Sequence, residues 1–296
     1  MKRIGRHMPT HSRAIKAAEI ARQIGCNAIQ IFTSNPRSWQ PTADDAMDCA
    51  AFAKAARDYD LDPVVIHAPY LINLASPDEM IWQKSIHLLR WTLQRGALLE
   101  ARYVIFHTGS HRGSGLEAGV ARIAEAITAI LAEIKPAGNA AMPLLLLEND
   151  VGGGNSLGQD FEHLGAVLDR LPQYSETLGV CLDTAHLWGA GHDISSAAAA
   201  LQILQHFEAV VGISRLHVIH LNDTKMALGS HRDVHARLGE GIIGEEGLRA
   251  LLTNPRLDHT AVLLETPIKL RDDGKEDWEH DKLHFEKAQA LLLVSP

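Results

Sequence analysis

The sequence predicts an α/β fold, a single (β/α)8 barrel of the TIM type. Short apolar runs with strand character recur eight times, and each is followed by a polar turn and a stretch of helical periodicity. The runs are continuous in Val, Ile and Leu, as expected for parallel strands whose outer face is covered by helices. Since no change in composition divides the 296 residues, one barrel domain spanning residues 1–296 is favoured over a doubly wound open sheet.

The apolar runs mark eight predicted strands in order. They lie at 2–7, 28–33, 63–68, 103–108, 143–149, 179–184, 216–222 and 261–266. Predicted helices lie between them, for example at 15–24, 77–99 and 195–212. Ser76 and Asp193 are expected to be N-caps, and Pro77 suits a first helical turn. The segment GRHMPT after the first strand lacks the glycine fingerprint of a dinucleotide-binding sheet, which argues against that fold.

Composition and charge narrow the class of protein. Hydrophobic residues make up 46% of the chain and charged residues 22%, as in ordinary soluble enzymes. The net charge of −8 argues against binding nucleic acid through overall positive charge, although a local cationic site can still bind it. Cys26, Cys49 and Cys181 form no C-x-x-C pair, so neither a disulfide framework nor a thiolate zinc site is indicated. No apolar run has the length of a membrane helix, and a cytoplasmic location without membrane contact is expected.

Imidazole and carboxylate residues end six consecutive predicted strands. They are His67, His107, Glu148, Asp183, His220 and Glu265. In a barrel these ends converge on one rim, where such enzymes place their chemistry. Any one of them alone is more often a hydrogen-bonded loop residue than a ligand. Six together, with no Lys or Arg at the same ends, would be costly to bury unless a divalent metal relieved the charge. The pattern therefore predicts a metal site at the carboxyl rim.

Three further candidate ligands lie just beyond the strand ends. His186 follows Asp183 in DTAH, and Asp233 and His235 lie in the long glycine-containing segment after the seventh strand. The nine residues supply five imidazoles and four carboxylates, which is too many for one tetrahedral ion and enough for three. Mixed nitrogen and oxygen donors suit Zn2+, but Mn2+ and Fe2+ accept the same groups.

Polar residues next to these ligands have two possible roles. Asn149, Thr184 and Asn222 are placed to orient the ligands, but they are equally typical of ordinary turns.

At these residues the sequence closely resembles the endonuclease IV family of apurinic/apyrimidinic (AP) endonucleases. The likeness spans nearly the whole chain, and its motifs occur in order. They are HAPYLINL (67–74), FHTGSH (106–111), LLEN (146–149), GGGNSLG (152–158), GVCLDTAH (179–186), AGHD (190–193), HLNDTK (220–225), GS-x-x-D-x-H with LGEG (229–241) and LLETP (263–267).

The resemblance implies a barrel that binds three Zn2+ ions. By that likeness His67, His107 and Glu148 bind one ion, and Glu148 bridges to a second. Asp183, His220 and Glu265 complete the second site, and His186, Asp233 and His235 bind the third. Mn2+ or Fe2+ can stand at one or more of these sites.

The resemblance also implies a reaction in base excision repair. A metal-bound hydroxide, positioned by Glu148 with Glu265 as a second catalytic carboxylate, attacks the phosphorus 5′ to an abasic site. The products are a 3′-hydroxyl and a 5′-deoxyribose phosphate. Three divalent ions against four ligand carboxylates leave a local charge of about +2 for the developing negative charge.

Double-stranded DNA containing an abasic site is the partner that the resemblance implies. The family inserts an arginine, a tyrosine and a leucine at positions matching Arg37, Tyr70 and Leu71. Further candidates for phosphate contact, each more commonly a solvated surface charge, are Arg112, Lys225, Arg232, Lys269 and Arg271. No protein partner is indicated, and a monomer is expected.

The sequence departs from the family pattern at several positions that concern DNA contact. Met8-Pro9-Thr10 follows the first strand without the usual glycine pair, and Asp150, Ala185 and Val234 replace the common Thr, Cys and Arg. None of these changes removes a metal ligand. They leave the strength of DNA binding open.

Two other functions remain compatible with the strand-end pattern. A divalent-metal sugar isomerase or epimerase uses the same barrel, but it needs only one or two ions and has no use for His186, Asp233 and His235 together. A non-catalytic, metal-stabilised nucleic-acid-binding protein would bind abasic DNA without turnover.

Overall fold

A computed structural model describes residues 2–10, 14–41, 48–134 and 141–293. Eight parallel strands form a closed barrel in which each strand pairs with its neighbour in sequence, and the last strand pairs with the first. The predicted (β/α)8 barrel is confirmed. Within the described residues, no helix combines the length and the apolar character needed to cross a membrane.

The strands agree with the predicted apolar runs to within two residues at each end. They are β1 Ile4–Met8, β2 Ala28–Phe32, β3 Val64–His67, β4 Tyr103–His107, β5 Leu144–Glu148, β6 Leu178–Asp183, β7 Leu216–His220 and β8 Ala261–Leu264. Most predicted runs extend past the strand because the polar residues that follow turn away from the ladder to hydrogen-bond within the loops, as Asn222 does.

Helices cover the outside of the barrel. They are α1 Ala14–Ile24, α2 Cys49–Asp58, α3 Glu79–Leu98, α4 Leu116–Glu133, α5 Phe161–Asp169, α6 Thr184–Ala190, α7 Ala197–Val210, α8 Glu245–Leu252 and α9 Trp278–Leu291. Each long helix buries one face; α1, for example, buries Ala17, Ala21 and Ile24, which recur at helical spacing.

The two predicted N-caps are wrong. Helix α3 is capped by Asp78, whose side chain accepts from Ile81 N, while Ser76 Oγ accepts from Asp78 N in the preceding turn. Pro77 therefore lies before the helix and not in its first turn. Helix α7 is capped by Ser196, and Asp193 accepts from Ser195 N in a turn outside the helix. In both cases two capping residues lie close together, and the local sequence does not decide which one starts the helix.

The barrel interior explains why the strand ends point into one site. A small apolar cluster inside the barrel consists of Ala28, Val65, Tyr103, Ile105, Leu146, Cys181, Val218 and Leu263. Six of these residues lie two positions before a predicted strand-end ligand. Because side chains two apart on a strand share a face, those ligands form the next layer above this apolar floor.

Candidate metal centre

The first group of candidate ligands consists of His67, His107 and Glu148 at the ends of β3, β4 and β5. His67 Nε2 lies 3.1 Å from Glu148 Oε2, and His107 Nε2 lies 3.6 Å from the same oxygen. Glu148 is fully buried, whereas the His107 side chain is 21% exposed. The group is therefore closed from below and open towards the rim.

The second group adds ligands from β6, β7 and the residue after β8. Its members are Glu148, Asp183, His220 and Glu265. His220 Nδ1 lies 2.8 Å from Glu148 Oε1, 3.3 Å from Glu265 Oε2 and 3.9 Å from Asp183 Oδ2. Glu148 thus directs one oxygen to each of two groups, which is the geometry of a bridging carboxylate.

The third group is built from the first turn of α6 and the loop after β7. His186 Nε2 lies 3.3 Å from Asp233 Oδ1, and His235 Nε2 lies 3.1 Å from that oxygen. Asp183 also faces this group, since its Oδ2 lies 3.6 Å from His235 Nε2. The sequence placed Asp183 in the second group alone, so its position between two groups is an addition.

Three of the imidazoles are oriented by a hydrogen bond through the ring nitrogen that does not face the carboxylates of their own group. His67 Nδ1 lies 2.7 Å from Ala68 O, and His186 Nδ1 lies 2.8 Å from Asn149 O. His220 Nε2 lies 2.8 Å from Gln30 Oε1. Since these oxygens only accept, the outer nitrogens donate, so the inner nitrogens are the ones that can bind a cation once any proton on them is released.

The polar neighbours Asn149, Thr184 and Asn222 connect the strand ends through side-chain hydrogen bonds. Asn149 Oδ1 accepts from Asp183 N at 2.6 Å, and Asn222 Oδ1 accepts from Glu265 N at 2.9 Å. Asn222 Nδ2 donates to Asp183 Oδ2 at 2.5 Å, and Thr184 Oγ1 donates to Asn222 O at 2.6 Å. These contacts fit the orienting role considered for them rather than the role of turn residues alone.

The charge balance of the centre fits a metal. Among the described residues, the four ligand carboxylates form ion pairs with imidazoles and with no Lys or Arg. Burial lowers the pKa of His186, but Asp183 and Asp233 outweigh it and hold that pKa well above its ordinary value. Burial also lowers the pKa of His235, yet Asp183 and Asp233 raise it to about 9. These imidazoles hold protons that a divalent cation can replace.

Among the nine candidate ligands, one buried atom has no hydrogen-bond partner within the described residues. Across the part of the chain that the structure describes, His235 Nε2 makes no hydrogen bond of acceptable geometry, although two carboxylates lie within 4 Å of it. A nitrogen that faces two carboxylates without a well-formed hydrogen bond to either is placed as a metal ligand would be. The residues present therefore fit metal binding.

Two residues of the centre were missed by the sequence analysis. Gln30 Nε2 donates to Glu265 Oε1 at 2.5 Å and lies 2.9 Å from His7 Nδ1. Since a carboxylate cannot donate, this contact fixes the amide orientation and leaves Gln30 Oε1 for His220. The spacing of two residues from Ala28 to Gln30 was the available signal, because it places Gln30 in the same layer as the ligands.

An open pocket of about 600 Å3 adjoins the centre. Its lining includes Trp39, Tyr70, Leu71, Arg112, Asp150 and Asp233. The Tyr70 side chain is 53% exposed, and its ring packs edge-on against Phe32 and His67. Tyr70 N donates to Pro36 O at 3.0 Å, which ties this loop to the one carrying exposed Arg37. Tyr70, Leu71 and Arg37 therefore lie on two neighbouring rim loops.

The other candidate phosphate contacts are exposed. Within the described ranges, Arg112, Lys225 and Arg232 have no carboxylate partner, whereas Arg271 Nε lies 3.8 Å from Asp277 Oδ1. Lys269 is exposed on the same loop as Arg271.

The departures from the family pattern fall at the rim or beside it. Val234 is exposed between Asp233 and His235, and Met8 is fully buried at the end of β1. Asp150 lines the pocket and accepts from Gly152 N.

Comparisons with known proteins agree with this architecture. Residues 18–288 match the family described as Xylose isomerase-like TIM barrel. A curated relative from Methanosphaerula palustris named "Probable endonuclease 4" is 41% identical over 269 residues, which cover 90% of this chain and 92% of the relative. The crystal structure of endonuclease IV from Thermus thermophilus superposes with a TM-score of 0.81 at 35% identity, covering 98% of both chains.

The same fold also occurs in sugar enzymes. The crystal structure of a D-tagatose 3-epimerase-like protein superposes with a TM-score of 0.69 at 17% identity, covering 99% of this chain and 98% of the other. At that identity the likeness concerns the fold alone.

Proposed function

This chain belongs to the endonuclease IV family, and from that premise we propose that it hydrolyses the phosphodiester bond 5′ to an abasic site in double-stranded DNA. The products are a 3′-hydroxyl and a 5′-deoxyribose phosphate. The observation that carries the proposal is the meeting of nine imidazoles and carboxylates in three adjoining groups.

The proposed cofactor is three Zn2+ ions, with Mn2+ or Fe2+ able to replace zinc at one or more sites. His67, His107 and Glu148 would hold the first ion. Asp183, His220 and Glu265 would hold the second ion together with Glu148. His186, Asp233 and His235 would hold the third.

Bound divalent ions supply Lewis-acid chemistry, which lowers the pKa of water and offsets the charge of a reacting phosphodiester. Glu148 is completely buried and can face only its neighbouring ligands, so its role is to hold two groups at a fixed separation. Glu265 is partly exposed and is kept in place by Gln30 and by its backbone contact to Asn222. These are the two carboxylates to which catalysis is assigned.

Substrate recognition is proposed for the rim. Tyr70, Leu71 and Arg37 would enter the duplex beside the abasic site, since they lie on two joined loops next to the ligand groups. The exposed Arg112, Lys225 and Arg232 would contact phosphates.

The sugar isomerase or epimerase remains the weaker alternative. It shares the barrel fold and would use one or two ions at strand ends, but it gives no role to the third group. A monomeric state, a cytoplasmic location and the assignment of residues 1–296 to one domain stay predictions.

Incubation of the purified protein with a duplex carrying one abasic site tests the proposal. We expect a single incision whose 3′ end a polymerase can extend, together with three metal ions per chain by elemental analysis. Interconversion of keto-sugars without incision would overturn the proposal. Tight binding of abasic DNA without turnover in the metal-loaded protein would instead favour a binding protein.

A further inference from the structure

A second buried carboxylate lies next to the centre without belonging to it. Asp223, three residues after His220, is 1% exposed and lies at the start of the loop that carries Asp233 and His235. Among the described residues it has no ion-pair partner. Its carboxylate instead accepts hydrogen bonds from backbone N–H groups.

Four backbone N–H groups donate to this carboxylate. Thr224 N and Ile243 N donate to Oδ1 at 2.8 and 3.2 Å, and Gly239 N and Gly241 N donate to Oδ2 at 3.1 and 3.0 Å. Each oxygen of the carboxylate therefore accepts two hydrogen bonds. The donors come from both ends of the loop, so the carboxylate links those two ends to each other.

The backbone of Asp223 also holds the loop near the third ligand group. Ala236 N donates to Asp223 O at 2.7 Å, and Asp223 N donates to Ala236 O at 3.4 Å. Ala236 directly follows His235. His235 therefore lies next to the short β-bridge that joins Ala236 to Asp223.

Gly241 is a second observation that the end of the loop packs directly against the Asp223 carboxylate. A Cβ atom built on Gly241 would lie 2.1 Å from Asp223 Oδ1, which is far inside van der Waals contact. The glycine is therefore required because the chain passes directly over the carboxylate.

The first part of the loop has its own attachment. Trp188 Nε1 donates to Met226 O at 2.9 Å, and His231 N donates to Gly189 O at 3.0 Å. Residues up to about His231 are thus held by α6, whereas the part from Ala236 to Ile243 is held by Asp223. Asp233 and His235 lie between these two attachments.

We propose that Asp223 is the positioning residue of the third metal group: its carboxylate fixes the far end of the loop and thereby sets Asp233 and His235 opposite His186. The inference rests on the proposed function, because it assumes that this group binds an ion. The first two groups take their ligands from strand ends and do not depend on Asp223.

Asp223→Asn tests this directly. The amide keeps the size of the side chain but places an NH2 group against backbone donors that need an acceptor. We expect the third ion to bind about tenfold to hundredfold more weakly, with the first two ions unchanged, in zinc titrations against a competing chelator. Amide hydrogen exchange across 225–243 is expected to become faster in the same variant.

Two companion variants separate positioning from general damage. Glu240→Gln removes an exposed carboxylate from the same loop and is expected to leave all three affinities unchanged. Gly241→Ala keeps the Asp223 charge but displaces the chain from it, and it is expected to weaken the third ion as Asp223→Asn does. If Asp223→Asn does not fold, Gly241→Ala carries the test.

Unchanged affinity for the third ion in both Asp223→Asn and Gly241→Ala would overturn the inference. Equal weakening of all three ions would also overturn it, since that indicates a loss of the fold as a whole. The titration uses zinc and no DNA, so its outcome is distinct from failure of the parent protein to cut abasic DNA, which would overturn the proposed function.

Discussion

The candidate metal centre contains two kinds of candidate ligand position that differ in how the fold holds them. The six strand-end ligands lie in one layer above the apolar floor of the barrel, and Glu148, Asp183 and His220 among them are fully buried. The two loop ligands lie outside that layer, and the Asp233 side chain is 52% exposed. The barrel therefore fixes the first two groups by its own geometry, whereas the third depends on a loop that must be anchored separately.

Among the strand-end ligands, substitution of Glu148 is expected to have the largest effect. Glu148→Gln removes the charge shared by the first two groups while keeping the side chain's size. We expect incision to fall by about 10³-fold or more and two of three ions to be lost, because Lewis-acid stabilisation of the phosphodiester is removed.

Single-turnover incision and elemental analysis measure this effect. Loss of only one ion from Glu148→Gln would contradict the bridging role. Glu162→Gln, an exposed change on α5, serves as a control for the removal of a carboxylate.

The loop side of the comparison is tested at Asp233. Asp233→Ala is expected to lower occupancy of the third group and to reduce incision by about tenfold to hundredfold, while the fold persists because the side chain is half exposed. Metal content, incision rate and thermal unfolding are measured together. A variant that keeps three ions at the parent's affinity would remove Asp233 from the ligand set.

A residue supporting a strand-end ligand gives a smaller expected effect. Gln30→Met keeps the volume at Gln30 but removes the acceptor of His220 Nε2 and one of the donors to Glu265. We expect the second ion to bind about tenfold to hundredfold more weakly. Gln40→Met, at an exposed position, is the matched control. An effect confined to the third ion would show that strand and loop groups are coupled more closely than their separate attachments suggest.

The pH dependence of metal affinity is expected to differ between the groups, and this difference is the smallest of the expected effects. In the metal-free protein the pKa values of His186 and His235 are raised, the latter to about 9, so an ion entering the third group near pH 7 displaces protons. Each of the other two groups holds one imidazole of raised pKa, His67 in the first group and His220 in the second, whereas burial outweighs the attraction of Glu148 and lowers the pKa of His107. Affinity of the third group is therefore expected to rise with pH up to about 9.

Zinc titrations at pH 6, 7 and 8 would measure this difference, with an expected change of up to about tenfold per pH unit for each proton displaced. The first and second groups are expected to change less over the same interval, because each holds one imidazole of raised pKa where the third holds two. An equal pH dependence for all ions would contradict the distinction between the groups.

Much of the fold could be predicted from the sequence because its signals are local. Each strand is a short apolar run, and each predicted run has its strand within two residues. The N-caps of α3 and α7 were wrong because Ser76 and Asp193 cap turns immediately before the true caps, Asp78 and Ser196. Competing local hydrogen bonds of similar strength are decided by how the helix packs.

The clustering of the candidate ligands could be predicted because chemistry and spacing coincide. His and acidic residues at consecutive strand ends leave little alternative to a shared rim. Gln30 could not be recognised in the same way, since a glutamine has no charge to explain and only its contact with His220 and Glu265 gives it a role.

The sequence by itself determined the barrel, the rim on which the chemistry lies and the residue types available there, because the period of two along a strand and the order of strands follow from the chain. The family resemblance already implied three groups, but only the tertiary structure decided which contacts join them. Glu148 between two groups, Asp183 facing both the second and third groups, and Asp223 closing the loop from within are set by distances across strands far apart in sequence. Spacing along the chain determines which face a side chain takes, whereas closure of the barrel determines which neighbours it meets.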